Sequence, residues 1–101
     1  MNARLTPEAE ADLADARRQY RRRNARAAAM FMNAVATVLD LIGRYPEGQP
    51  ILHRTARRVL VHRYPYALLY YLDAHDAVVF GCFHTARDPE IWRGRADIVL
   101  D

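Results

Sequence analysis

A chain of 101 residues, 51% of them hydrophobic, has room and material for one core, so a multidomain reading is excluded and residues 1–101 are taken as a single domain. The net charge of +3 and pI of about 9.4 point to an acidic partner, either nucleic acid or an acidic protein segment, which charge alone does not separate. All 15 positive charges are arginine, which stays protonated at any working pH, so proton shuttling or Schiff-base chemistry through lysine is excluded.

The first residues carry no apolar core of a signal peptide, and no run reaches the roughly 20 apolar residues of a membrane span; a cytoplasmic protein with no membrane role is expected. Asn2 to Leu5 reads as a short strand. Thr6-Pro7-Glu8 then opens a helix, with Thr6 as cap and Pro7 at the first helical position, where its missing N–H costs nothing. Glu8, Glu10 and Asp12 lead this helix and Arg17, Arg18, Arg21 and Arg22 end it, as its dipole favours. Ala9, Leu13, Ala16 and Tyr20 form a narrow apolar stripe. After a break near Arg23 and Asn24, a second helix is expected from about Ala25 to Ile42, with Ala27, Phe31, Ala34, Val35, Val38, Leu39 and Ile42 on a wide buried face and Gly43 as its stop. Two helices joined by so few residues form an antiparallel hairpin.

Arg44 to Thr55 has the composition of a loop. Strands are expected at Arg57 to Arg63, Tyr66 to Asp73 and Ala77 to His84, with corners at Tyr64-Pro65 and Ala74-His75-Asp76. The single Cys82 falls inside an apolar strand pattern and reads as a small buried hydrophobe, with no second cysteine to pair with. In the middle strand Tyr66, Leu68, Tyr70 and Leu72 take one face and Ala67, Leu69 and Tyr71 the other. The hairpin covers one of these faces. Nothing is left to cover the other, so an aromatic surface there is expected to be bare or to meet a partner. A short basic C-terminal tail completes an α+β domain of order β-α-α-β-β-β, a helical hairpin on a small antiparallel sheet.

Three clusters could carry function. Arg17, Arg18, Arg21, Arg22, Arg23 and Arg26 are either a solvated helix end or a surface for phosphate or an acidic partner. Arg54, Arg57, Arg58, His62 and Arg63 divide between the two faces of one strand, where they either recognise a partner or protect a sheet edge from aggregation. His84, Arg87, Trp92, Arg93 and Arg95 gather after the last strand, with Asp88-Pro89 as a turn or helix start, and a histidine beside guanidiniums there is the minimum for cleaving RNA through its 2′-hydroxyl. The plain alternative is that His84 binds the turn and Trp92 packs on the sheet. No metal-ligand spacing, glycine-rich phosphate loop or Ser/His/Asp arrangement stands out, so neither metal nor cofactor is expected.

Leu-Thr-Pro-Glu-Ala-Glu-x-Asp-Leu at 5–13, Tyr-Pro-Glu-Gly at 45–48, Arg-Tyr-Pro-Tyr at 63–66 and His84-x-x-Arg87-Asp88-Pro89 with Trp92, in this element order, make the whole chain resemble the RelE/ParE toxins of type II toxin–antitoxin systems. The resemblance implies a cognate antitoxin whose acidic and apolar C-terminal segment wraps the toxin in a hetero-oligomer. It implies one of two targets: the ribosome and its messenger RNA for RelE-type endoribonucleases, or DNA gyrase for ParE-type members, which need no catalytic residues. The sequence departs from the ribonuclease pattern. It has Ala67 where an arginine commonly follows the middle-strand aromatic, Ile91 and Trp92 where a catalytic tyrosine is frequent, and no lysine. A ParE-like gyrase poison is therefore the expectation, with no catalytic residue favoured. Arg57, Arg58, His62, Arg63, Tyr66, Tyr70, Tyr71, Arg87, Trp92, Arg93 and Arg95 are its candidate binding residues. The alternatives are an endoribonuclease in which His84 moves protons beside Arg63 and Arg87, and a degenerate member that binds without poisoning.

Overall fold

The computed structural model describes residues 1–86 and 89–101. Its elements in chain order are β1 (Asn2–Leu5), α1 (Pro7–Arg21), α2 (Ala25–Arg44), β2 (Ile51–His53), β3 (Ala56–Leu60), β4 (Tyr66–Leu72), β5 (Asp76–His84) and α3 (Pro89–Leu100). One five-stranded sheet has the order β1-β5-β4-β3-β2, with β1 parallel to β5 and the other pairs antiparallel. The hairpin packs on one face and α3 on the other.

Local chemistry sets the helix ends. Thr6 has extended backbone and its hydroxyl accepts from the Ala9 N–H at 3.2 Å, while Asn24 caps α2 by accepting from the Ala27 N–H at 2.7 Å. With that amide gone, Asn24→Ala should lower stability by about 1 kcal/mol in urea denaturation, and an unchanged midpoint would remove the cap from the account. Gly43 does not stop α2, which continues through Arg44 with Tyr45 as its cap. The glycine serves a close approach instead, since a Cβ there would lie 2.9 Å from the Met1 carbonyl oxygen. By length and composition α2 is apolar enough to cross a membrane, contrary to the expectation that no segment would be. Here Phe31, Val35, Val38 and Ile42 are buried against α1 and the sheet.

The sheet differs from expectation in three respects. β2 lies inside the segment expected to be loop, and β3 ends at Leu60 rather than Arg63. Arg63 instead occupies a left-handed turn at φ 72°, closed by the Tyr64 N–H donating to the Val61 carbonyl at 3.0 Å. In β5 the register shifts opposite Leu69 and Tyr70, so that Phe80 and Phe83 both face α3 although they stand three positions apart, where regular alternation would put them on opposite faces. Gly81 permits this, because a Cβ at that position would collide with the buried Phe83 ring.

The largest difference is α3. Its residues were expected to be a short basic tail over a bare sheet face; they form a 12-residue helix instead. Ala96, with Trp92, Val99 and Leu100, packs on Ala56, Leu69, Phe80 and Phe83 as a second core. The face expected to await a partner is therefore covered largely by the chain itself.

Polar contacts hold α3 in place. His53 Nε2 lies 2.8 Å from Asp97 Oδ1, and Arg54 donates to Asp101 at 2.9 Å. The His53 hydrogen bond, followed by Arg54, keeps Asp97 below the ordinary carboxylate range. At the β4–β5 turn Asp73 is likewise lowered, chiefly by the Asp76 and His75 N–H groups that donate to it at 2.6 and 2.8 Å. A carboxyl with a lower pKa folded than unfolded stabilises the fold above its unfolded value, and that contribution is lost as pH falls through the folded value. Acidification below about pH 4 should thus loosen α3. Trp92 is the single tryptophan and sits on that helix, so its emission should shift before the sheet unfolds. Emission that stays flat until global unfolding would contradict this.

Candidate interaction site around His84

His84 ends β5 directly opposite Tyr66, which begins β4. The corner is closed by the Thr85 N–H donating to the Pro65 carbonyl at 2.8 Å. The imidazole stands edge-on to the Tyr66 ring, with centroids 5.2 Å apart, and its Nδ1 accepts from the Ala86 N–H at 3.1 Å. That acceptance leaves Nε2 to carry the proton in the neutral ring.

Two concavities meet at this histidine. On the hairpin side an open groove of about 580 Å³ is lined by Gln19, Tyr20, Arg23, Tyr66 and His84. On the α3 side a smaller cavity of about 150 Å³ brings Arg58, His84, Trp92 and Arg93 together. The second and third sequence clusters thus converge, though only in part. Arg63 lines neither concavity. Arg87 and Asp88 lie outside the described residues.

Several candidate residues serve the fold. Arg57 donates to the Glu47 and Gln49 carbonyls at 3.2 and 2.6 Å, pinning the segment before β2. Tyr70 is fully buried beneath the hairpin, with its hydroxyl donating to the Pro46 carbonyl at 2.8 Å and its pKa raised by burial. It has no surface to offer a partner. Arg95 is drawn into an ion pair with Asp12, from 2.5 Å, and also donates to the Phe80 carbonyl. Tyr71 is half-buried against the second core, tilted on Phe80 at 6.1 Å. Trp92, also half-buried, meets His53 edge-on at 6.0 Å, and the Arg93 guanidinium lies 5.3 Å from its ring centre. Arg58, His62, Arg63 and Arg93 are exposed, and Tyr66 is half-buried.

Sequence reasoning missed Asp12 and Tyr20 as parts of this region. Asp12 reads locally as one more acid at a helix start, and its partner Arg95 is 83 residues away. Tyr20 reads as stripe, yet it stacks on Phe31 at 4.8 Å and still reaches the groove. Among the described residues no three His, Cys, Asp or Glu side chains come together to hold a metal.

A helical hairpin and a third helix on a mixed sheet, with arginines around an aromatic corner, make a small α+β domain. Residues 3–89 match the family model described as ParE toxin of the type II toxin–antitoxin system parDE, and the chain belongs to that family. A solved structure titled "Chromosomal ParDE TA system from P. aeruginosa" shares the fold, with a TM-score of 0.61 and 16% identity, covering 83% of this chain and 95% of that chain. No curated protein matches the sequence.

Proposed function

We propose that this ParE-family protein arrests growth in the cytoplasm by binding and poisoning DNA gyrase, and that a cognate antitoxin with an acidic and apolar C-terminal segment neutralises it. The observation that carries the reading is the family match across residues 3–89. The corner favours binding over cleavage. Ala67 and Trp92 replace the arginine and tyrosine frequent in ribonucleolytic relatives, and His84 Nδ1 already accepts a backbone N–H.

With α3 on the far face, the open apolar ground for an antitoxin is the β2–β3 side of the sheet. Ile51 and Leu60 are each 55% exposed there, and β2 is an edge strand that a partner strand could extend. Arg58 and Arg93 flank this region as charged partners for an acidic segment, alongside Tyr66, Tyr71 and Trp92.

Supercoiling of relaxed plasmid by purified gyrase tests the proposal. Added protein should inhibit supercoiling, and the antitoxin should restore it. Gyrase that works unimpaired, alongside messenger RNA cut on the ribosome, would replace this reading with the endoribonuclease one.

A further inference from the structure

Six arginines, 17, 18, 21, 22, 23 and 26, crowd the end of α1 and the start of α2. Asp15 pairs with Arg18, and among the described residues no acid pairs with the other five. Arg22 donates to the Gln19 side chain at 3.3 Å, and Arg23 lies 5.7 Å from the centre of the Tyr20 ring. Such a surplus of fixed positive charge attracts a polyanion.

Arg23 carries this charge into the larger groove, whose wall is aromatic, while Arg17, Arg18 and Arg21 line a separate hollow with Ala14. Tyr20 and Tyr66 lie 6.3 Å apart, and Tyr66 and His84 5.2 Å apart. Behind them Phe31 and Tyr64 touch Tyr20 at 4.8 and 5.3 Å, so the rings are held from the core side. The Nε2 proton of His84 and the Gln19 amide add hydrogen-bonding groups to the rim. Rings fixed beside guanidiniums suit a ligand that alternates planar apolar groups with anions. A duplex hides its base faces, and an acidic peptide has few planar groups to place.

We propose that this groove binds single-stranded nucleic acid, with an unpaired base against Tyr66 and His84 and the flanking phosphates on Arg23 and its neighbours. The site lies on the hairpin side of His84, away from the cavity between Arg58 and Trp92. It does not depend on the gyrase reading, because purified protein alone reveals it.

Fluorescence anisotropy with a labelled oligothymidylate is the test, on the full chain. His84→Ala and Arg23→Gln should each weaken binding about fivefold or more, as expected from losing a stacked base or a phosphate contact. Ala86→Glu sets an acid on the exposed rim without touching the core, and should weaken binding at least as much. Arg44→Gln, at the far end of α2 where Arg44 pairs with Asp40 at 2.9 Å, should change affinity less than about twofold. Circular dichroism and Trp92 emission should match wild type in all four. Three results would each overturn the site: no binding of the oligonucleotide at low salt, equal losses in Arg44→Gln and Ala86→Glu, or equal binding of a duplex. Displacement by polyglutamate at matched charge would also overturn it, in favour of an acidic peptide.

Discussion

Asp12→Ala should destabilise the protein by about 2–3 kcal/mol and release α3 at the same time, a large loss for one exposed-looking helix acid. The reason lies at the edge of β5. β1 pairs with β5 only as far as Val79, after which the chain leaves as α1. Beyond that point no strand among the described residues lies beside the outer edge of β5. Asp12 closes it from the hairpin side by accepting from the Cys82 N–H at 3.1 Å, and Arg95 closes it from the α3 side by donating to the Phe80 carbonyl at 3.3 Å. The two side chains then meet in a two-pronged ion pair, at 2.5 and 3.4 Å, across the sheet edge. The pair is mostly shielded, with side-chain exposures of 15% for Asp12 and 27% for Arg95. Removing the carboxylate orphans a backbone donor and strands a guanidinium against the Phe83 ring, whose centre lies 4.7 Å away.

Asp12→Asn should cost less, because its amide oxygen still accepts from Cys82. Urea titration followed by circular dichroism measures the stability, and Trp92 emission reports α3. Should Asp12→Ala unfold at the wild-type midpoint with unshifted emission, the edge is not held this way. The same pair also blocks strand addition along the stretch of β5 beyond Val79.

His84→Ala divides the two mechanisms by a factor of about 10² or more. A ribonuclease that loses its proton-transfer group should lose growth arrest outright. A protein that poisons by binding loses one ring from a corner that also contains Tyr66, Arg58 and Trp92, so arrest should be weakened and not abolished. The imidazole is half-buried at a strand end and its removal opens no core cavity, so the variant should fold. Growth after induction, at matched protein levels, gives the answer. Complete loss of arrest in a folded variant would favour cleavage.

The parts of the fold legible in sequence are those set by local chemistry. Thr6-Pro7 and Asn24 mark the starts of α1 and α2, and strict alternation along Tyr66 to Leu72 assigns each side chain to the correct face. Alternation does not reveal what lies above a face. Tyr70 therefore looked available to a partner until the hairpin and Pro46 enclosed it. β2 is three residues long, too short for any period to show. The signal for α3 was present. Pro89-Glu90 repeats the Pro7-Glu8 opening, and Trp92, Ala96 and Val99 recur at helical spacing, but the arginines between them gave the segment the look of a tail. That misreading created the bare sheet face. With α3 in place, the case for a partner rests on the family match, the exposed β2–β3 side and the unpaired arginines.

At the candidate site, His84, Trp92 and the arginines were legible as residue types but not as a constellation. Arg57, Arg95 and Arg93 are neighbours in composition and have three different fates: pinning a loop, sealing an edge and lining a cavity. The register of β3 places Arg57, and the helical phase of α3 turns Arg95 toward β5 and Arg93 away from it.

The central claim is that this protein acts as a stoichiometric binder of gyrase. Titrating it into a reaction with purified gyrase, relaxed plasmid and translating ribosomes measures this directly. Supercoiling should fall in proportion to added protein and reach its floor near equivalence with gyrase, while messenger RNA stays intact. Messenger RNA cut by a small fraction of an equivalent, with supercoiling unaffected, would contradict it.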